Sequence, residues 1–151
     1  GLDSRNVWAV GDSGTILYFD GDDWRAQPSG AAGSLVAVWG SAGNDVWAIG
    51  KEGAVLHWDG VRWSESRRQP NEYLFAIWGS GPNNVYILGS EIHFHDSFSN
   101  PFPPTVFPFL LVWDGVTWTR QAVPDEFNSM WGTDATHLFF LKGANILAAA
   151  L

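Results

Sequence analysis

The hydrophobic positions of the chain fall in short runs separated by Gly, Asn and Asp, and the runs recur in register. The stretch Leu35 to Glu65, LVAVWGSAGNDVWAIGKEGAVLHWDGVRWSE, is one complete unit and predicts four strands: Leu35–Gly40, Asp45–Gly50, Ala54–Asp59 and Arg62–Glu65. In the second of these, Val46 and Ala48 alternate with Trp47 and Ile49. Both sets are apolar, which predicts a strand covered on both faces. The fourth is polar, as an outer edge strand is. Asp59-Gly60 predicts a tight two-residue hairpin turn, because such turns need positive φ.

Three landmarks fix the period. Trp8-Ala-Val-Gly11, Trp47-Ala-Ile-Gly50 and Tyr86-Ile-Leu-Gly89 follow one another at 39 residues. An aromatic-Asp-Gly turn recurs at Phe19-Asp20-Gly21, Trp58-Asp59-Gly60 and Trp113-Asp114-Gly115, each followed by a tryptophan at 24, 63 or 118. A Trp-Gly pair recurs at 39–40, 78–79 and 131–132. Three landmarks in phase, on a unit of four short strands, predict an all-β propeller of four-stranded antiparallel blades.

The first unit lacks its Trp-Gly strand and begins with Asn6–Gly11, Thr15–Asp20 and Trp24–Gln27. The third holds Leu74–Gly79, Asn84–Gly89, Leu110–Asp114 and Trp118–Gln121. The fourth offers Phe127–Gly132, Thr136–Leu141 and the start of a strand at Asn145–Leu147. Gln27–Ser34 and Arg67–Tyr73 read as links. The sum is about 3.5 blades per chain, in a single partial domain over 1–147. Residues 148–151 read as a vector-derived tail, and a piece of a longer propeller is the alternative to a self-contained unit. A propeller closes with about 4–8 blades. Completion of the ring by a second chain is therefore expected, with Phe127–Gly132 of one copy completing the Asn6–Gln27 blade of the other. That makes six blades, or up to eight if the partial blades stay separate.

The third unit departs from the pattern at Ser90–Phe109, SEIHFHDSFSNPFPPTVFPF, where the second unit spends only Lys51-Glu52-Gly53. Proline argues against regular sheet there, and a long loop with its own composition inside a compact fold is a functional candidate. In a propeller this loop opens on the face that carries the links. Its Phe94, Phe98, Phe102, Phe107 and Phe109 are candidate anchors for a partner. His93, Phe94, His95 and Asp96 are the most pointed group. In extended backbone His93 and His95 share a face and are weak candidates for one metal ion, with no third strong ligand nearby; the alternative is an exposed polar loop. No metal or other cofactor is expected.

Composition trims the function classes. The net charge is −8, with no basic stripe, which argues against nucleic acid or an anionic membrane as partner. There is no Cys to form a disulfide framework. Gly11-Asp12-Ser13-Gly14 matches the surroundings of a serine nucleophile, but the next unit keeps its glycines and replaces Asp and Ser by Lys51 and Glu52, so the site reads as a turn. Asp20, Asp59 and Asp114 are in-phase turn residues. Asp45 and Asp134 read as turn residues too, and Glu91, Asp96, Asp125 and Glu126 as loop acids without a visible pairing. The arginines at 5, 25, 62, 67, 68 and 120 all lie outside the inner strands.

At Gly53–Asp59, GAVLHWD, the third strand closes on Trp-Asp, which resembles WD40 repeats; the Gly-His pair of that family is absent. Gly11–Trp24, GDSGTILYFDGDDW, resembles BNR or Asp-box repeats, including photosystem-assembly-factor-like propellers. In the strict Asp-box one residue separates Asp from Gly, whereas here they are adjacent. The resemblance covers the chain except Ser90–Phe109. It implies the architecture and leaves function open. The leading reading is a non-catalytic binding or scaffolding module of unknown ligand, with a protein or a carbohydrate as the candidate partner. A lectin-like propeller stacking sugar on Trp39, Trp78 or Trp131 is the first alternative, and a glycosidase-like hydrolase with its site on the insertion face is the second.

Overall fold

A computed structural model describes residues 5–93, 104–143 and 145–150. Among these described residues the predicted runs become fourteen strands in four separate antiparallel sheets, each a simple up-and-down meander. The first sheet is β1 (Val7–Val10), β2 (Ile16–Phe19) and β3 (Trp24–Ala26). The second is β4 (Leu35–Ala42), β5 (Asp45–Gly50), β6 (Val55–Trp58) and β7 (Trp63–Arg67). The third is β8 (Glu72–Gly81), β9 (Asn84–His93), β10 (Thr105–Trp113) and β11 (Trp118–Ala122). The fourth is β12 (Ser129–Asp134), β13 (His137–Lys142) and β14 (Asn145–Ala150). These are propeller blades, two of four strands and two of three.

Side chains alternate across a strand, and the two sets on each middle strand meet different neighbours. Val46, Ala48 and Leu56 pack with Trp8 and Ile16 of the first sheet. Trp47, Ile49 and Val55 pack with Leu74, Val85, Ile87, Phe109 and Leu111 of the third. Tyr86, Leu88 and Leu110 pack with Phe127, Met130, Leu138 and Phe140 of the fourth. This is why Val46–Gly50 of β5 and Val85–Gly89 of β9 carry no polar face.

Large rings lock the boundaries. Trp8 meets Trp58 and Trp63 with centroids at 5.3 and 5.4 Å. One boundary further on, Trp47 meets Trp113 and Trp118, both at 5.3 Å. The Trp-Gly pairs have a second use. A Cβ on Gly79 would lie 2.5 Å from the Trp39 ring, and one on Gly132 would lie 2.7 Å from the Trp78 ring. Trp39 and Trp78 each seat on the bare backbone of the next sheet, which only glycine provides.

The structure corrects several expectations. The Asp-Gly turns centre one residue later than expected: Asp59 N–H donates to the Arg62 carbonyl at 3.3 Å, so Gly60 and Val61 form the turn and only Gly60 has positive φ. The Asp59 carboxylate accepts the N–H groups of Val61 and Arg62, each at 2.8 Å. Ser90–His93 and Thr105–Phe109, expected to be loop, are strand. Ser90 pairs with Pro108, Glu91 with Phe107, Ile92 with Val106 and His93 with Thr105. Proline is tolerated because the Pro108 carbonyl points outward, accepting Val123 N–H at 3.4 Å. Its missing N–H therefore costs the β9–β10 ladder nothing. Residues 94–103 lie outside the described residues. β12 is the first strand of the fourth sheet and pairs with β13. The ladder of β14 runs on through Ala150.

Candidate functional site

The four-residue extension of β9 and β10 forms an arm on the end of the third sheet that faces the inter-sheet links. A charged cluster sits at its root. Glu72, the first residue of β8, pairs in register with Glu91 on β9, and Glu72 is only 3% exposed. Two adjacent carboxylates, one of them buried, require cations. Arg67, at the end of β7 in the preceding sheet, forks onto Glu72 with contacts of 2.5 and 2.9 Å. Arg120 on β11 reaches Glu72 at 3.3 Å and Glu91 at 2.7 Å. Its guanidinium carbon lies 4.2 Å from the centroid of the Phe109 ring. Glu91 also accepts from His93 Nε2 at 2.8 Å. The hydrogen bonds from His93 and Arg120 hold the Glu91 carboxyl below its usual range.

Sequence reasoning left Glu91 without a partner and discounted the arginines for lying outside inner strands. Arg67 and Arg120 do lie on outer strands, but their long side chains reach across to the carboxylates of β8 and β9. Glu72 was missed altogether. The usable signal was the spacing of Glu91 and His93, two apart on one strand face.

A groove lies on each face of the arm. The face toward the second sheet has a groove of about 550 Å³ lined by Glu91, His93, Phe107, Arg120, Ala122 and Val123. The face toward the fourth sheet has one of about 520 Å³ lined by Phe75, Ile92, Val106, Phe127, Asn128 and Lys142 among others. Phe107 is 46% exposed and Phe75 is 44% exposed, one in each groove. The Phe107 ring meets His93 edge-on at 5.0 Å. Pro108 contributes to both grooves.

Of the residues singled out from sequence, His93 is on the arm, while Phe94, His95, Asp96, Phe98 and Phe102 lie outside the described residues. Among the described residues no group of three His, Cys, Asp or Glu could hold a metal ion. Trp39 and Trp78 are committed to Gly79 and Gly132. Trp131 stacks on Phe139 at 5.6 Å and stays 55% exposed. Among the described residues, none of these three tryptophans lines a groove of the arm.

The remaining polar constellations have structural geometry. Asp45 sits between Ser41, whose hydroxyl donates to it, and His57, whose Nε2 lies at 2.7 Å. His57 also stacks on Trp47 at 4.1 Å. With the carboxylate in the middle, Asp45 does not link the serine to the imidazole as a general base. Asp134 gathers the Thr136 hydroxyl at 2.7 Å and His137 Nδ1 at 2.8 Å, and these bonds hold its carboxyl well below the usual range. Asp12–Gly14 is a short 3-10 turn with Ser13 at φ 56°, and Lys51–Gly53 repeats it with Glu52 at φ 62°. The GDSG stretch is therefore the same turn in both units.

No family model and no curated protein matches the chain. Among solved structures, YCF48 bound to D1 peptide is similar at 18% identity with a TM-score of 0.49, over 97% of this chain and 60% of that one. YCF48 from Cyanidioschyzon merolae is similar at 15% identity with a TM-score of 0.46, over 97% of this chain and 66% of that one. The chain thus spans less than two thirds of the length of either structure, and at such identity the likeness is one of fold.

Proposed function

We propose that the chain is a non-catalytic binding module that holds a protein partner against the arm of the third sheet. The observation that carries this reading is the pair of grooves, each with an exposed phenylalanine, on an arm anchored by Arg67 and Arg120 on the buried carboxylate of Glu72. Binding surfaces combine apolar anchors with a rigid polar frame. The test is a three-way screen of the whole chain against a peptide library, a glycan array, and glycosidase and esterase substrates. Peptide binding weakened by Phe107→Ala supports the module. Glycan binding lost on Trp131→Ala would favour the lectin reading, and turnover would favour the hydrolase.

We also propose that a second copy closes the ring. Phe139 lies opposite Trp131 in the ladder just as Trp47 lies opposite Trp39. Phe139 therefore holds the position from which Trp47 packs onto Trp113 and Trp118. Phe19 and Trp24, with centroids 5.3 Å apart, form the equivalent receiving pair on the first sheet, and Trp24 is 50% exposed. Docking of one face on the other gives eight sheets from two chains. Light scattering after size exclusion decides it: a dimer supports closure, and a well-behaved monomer refutes it.

A further inference from the structure

We propose that the outer edge of β10 at Val106 is a strand-addition site for an extended, non-acidic polypeptide segment with apolar residues on both its faces. The inference rests on the reading of the arm as the binding surface. β11 follows β10 only from Trp113 to Phe109, opposite Trp118 to Ala122. One further bond, from Val123 N–H to the Pro108 carbonyl, continues the edge before the chain turns away toward β12. Val106 lies two residues beyond Pro108. In an antiparallel strand, residues two apart send their backbone groups to the same side. The Val106 N–H and C=O therefore point outward, away from β9, and no backbone group among the described residues takes them. An open donor and acceptor at strand spacing fit another extended backbone.

The flanks specify the side chains. An added strand directs successive side chains to alternate faces. One face meets Phe107, Ala122 and Val123, and the other meets Val106, Ile92, Phe75 and Phe127. These contacts are apolar. Of the charged residues on the same linings, Glu91 is paired with Arg120 at 2.7 Å and Lys142 with Asp125 at 2.6 Å. Glu126, exposed on the groove toward the fourth sheet, is the remaining one, and together with a net charge of −8 it disfavours an acidic partner.

Pro108 supplies the means of testing it. A proline whose nitrogen faces outward leaves the β9–β10 ladder intact, so Val106→Pro removes the outward donor without breaking that ladder. The probe is a heptapeptide display library panned on the whole chain. Recovered peptides are resynthesised with capped ends and titrated by fluorescence anisotropy. The expected result is recovery of peptides with alternating apolar residues, whose affinity falls about tenfold or more in Val106→Pro. Hydrogen exchange gives a readout that needs no variant: the Val106 amide of the native chain becomes protected when peptide binds. Binding weakened by Phe107→Ala but not by Val106→Pro, or a bound peptide that leaves the Val106 amide unprotected, overturns strand addition while the groove reading stands. Peptides insensitive to both changes, or no recovery at all, overturn both. Conversion of a dimer to a monomer by Val106→Pro, with peptide binding unaffected, would assign the edge to contacts between copies and also refute the proposal.

Discussion

The second and third sheets are built on one motif and diverge at one end. In the second, β5 and β6 are joined by Lys51–Gly53, and that turn is sewn down by backbone bonds: Lys51 N–H to Ser34 at 3.0 Å and Gln69 N–H to Gly53 at 3.3 Å. Gly53 has φ 63°, and a Cβ there would lie 2.2 Å from the Gln69 carbonyl oxygen. In the third, β9 and β10 run on together past the point where their counterparts turn. Backbone bonds hold the root of the arm as well, Ile92 N–H to the Asn71 carbonyl at 3.3 Å and Val123 N–H to the Pro108 carbonyl at 3.4 Å. The buried carboxylate of Glu72 and its two arginines are added to them. The difference teaches that a repeat can exchange a tight turn for a projecting ladder when a charged side-chain cluster is added to the backbone bonds at its root. It also shows the consequence: the ladder outruns its outer neighbour and leaves an edge and two grooves.

The largest expected effect comes from removing the charged cluster at the root of the arm. Glu72→Gln leaves Arg67 largely buried against a neutral amide, and a loss of about 3 kcal/mol is expected, read as a lower denaturation midpoint in urea. In the second sheet, Gly53→Ala should cost about 2 kcal/mol, because it demands positive φ and a backbone shift at Gln69. Equal and negligible effects of these two changes would mean that the ends of the two sheets are not held as described. A smaller effect belongs to Glu91. Its carboxyl is held below the usual range in the folded chain, so its contribution is complete above about pH 4 and is lost as pH falls through the lowered value. Glu91→Gln should therefore flatten the acid limb of a melting-temperature profile by under about 1 kcal/mol and leave neutral pH nearly unchanged. A steeper loss in the variant would contradict the assignment. Smallest for stability is Phe107→Ala, expected within about 0.5 kcal/mol because the ring is 46% exposed, while the same change weakens peptide binding.

The repeat was legible in the chain because its carriers are local. Periodicity of two marks strands, Gly, Asn and Asp mark turns, and tryptophans in phase mark equivalent places on successive sheets. Hence β1 to β14 were readable to within a few residues, as was the double burial of β5. The arm was misread for a physical reason: proline signals loop unless its nitrogen faces an unpaired edge, and which way Pro108 faces depends on the register of β9 and on where β11 ends. The charged root was hidden for a related one. Glu72, Arg67 and Arg120 come from three strands of two sheets, up to 53 residues apart in sequence. Only the stacking of blades brings them together. The sequence by itself determined the blade and its interlocking rings, since each depends on contacts that repeat with the chain. The tertiary structure alone decided the buried carboxylate, the two grooves and the open edge, because these arise where one repeat breaks pattern against neighbours that do not.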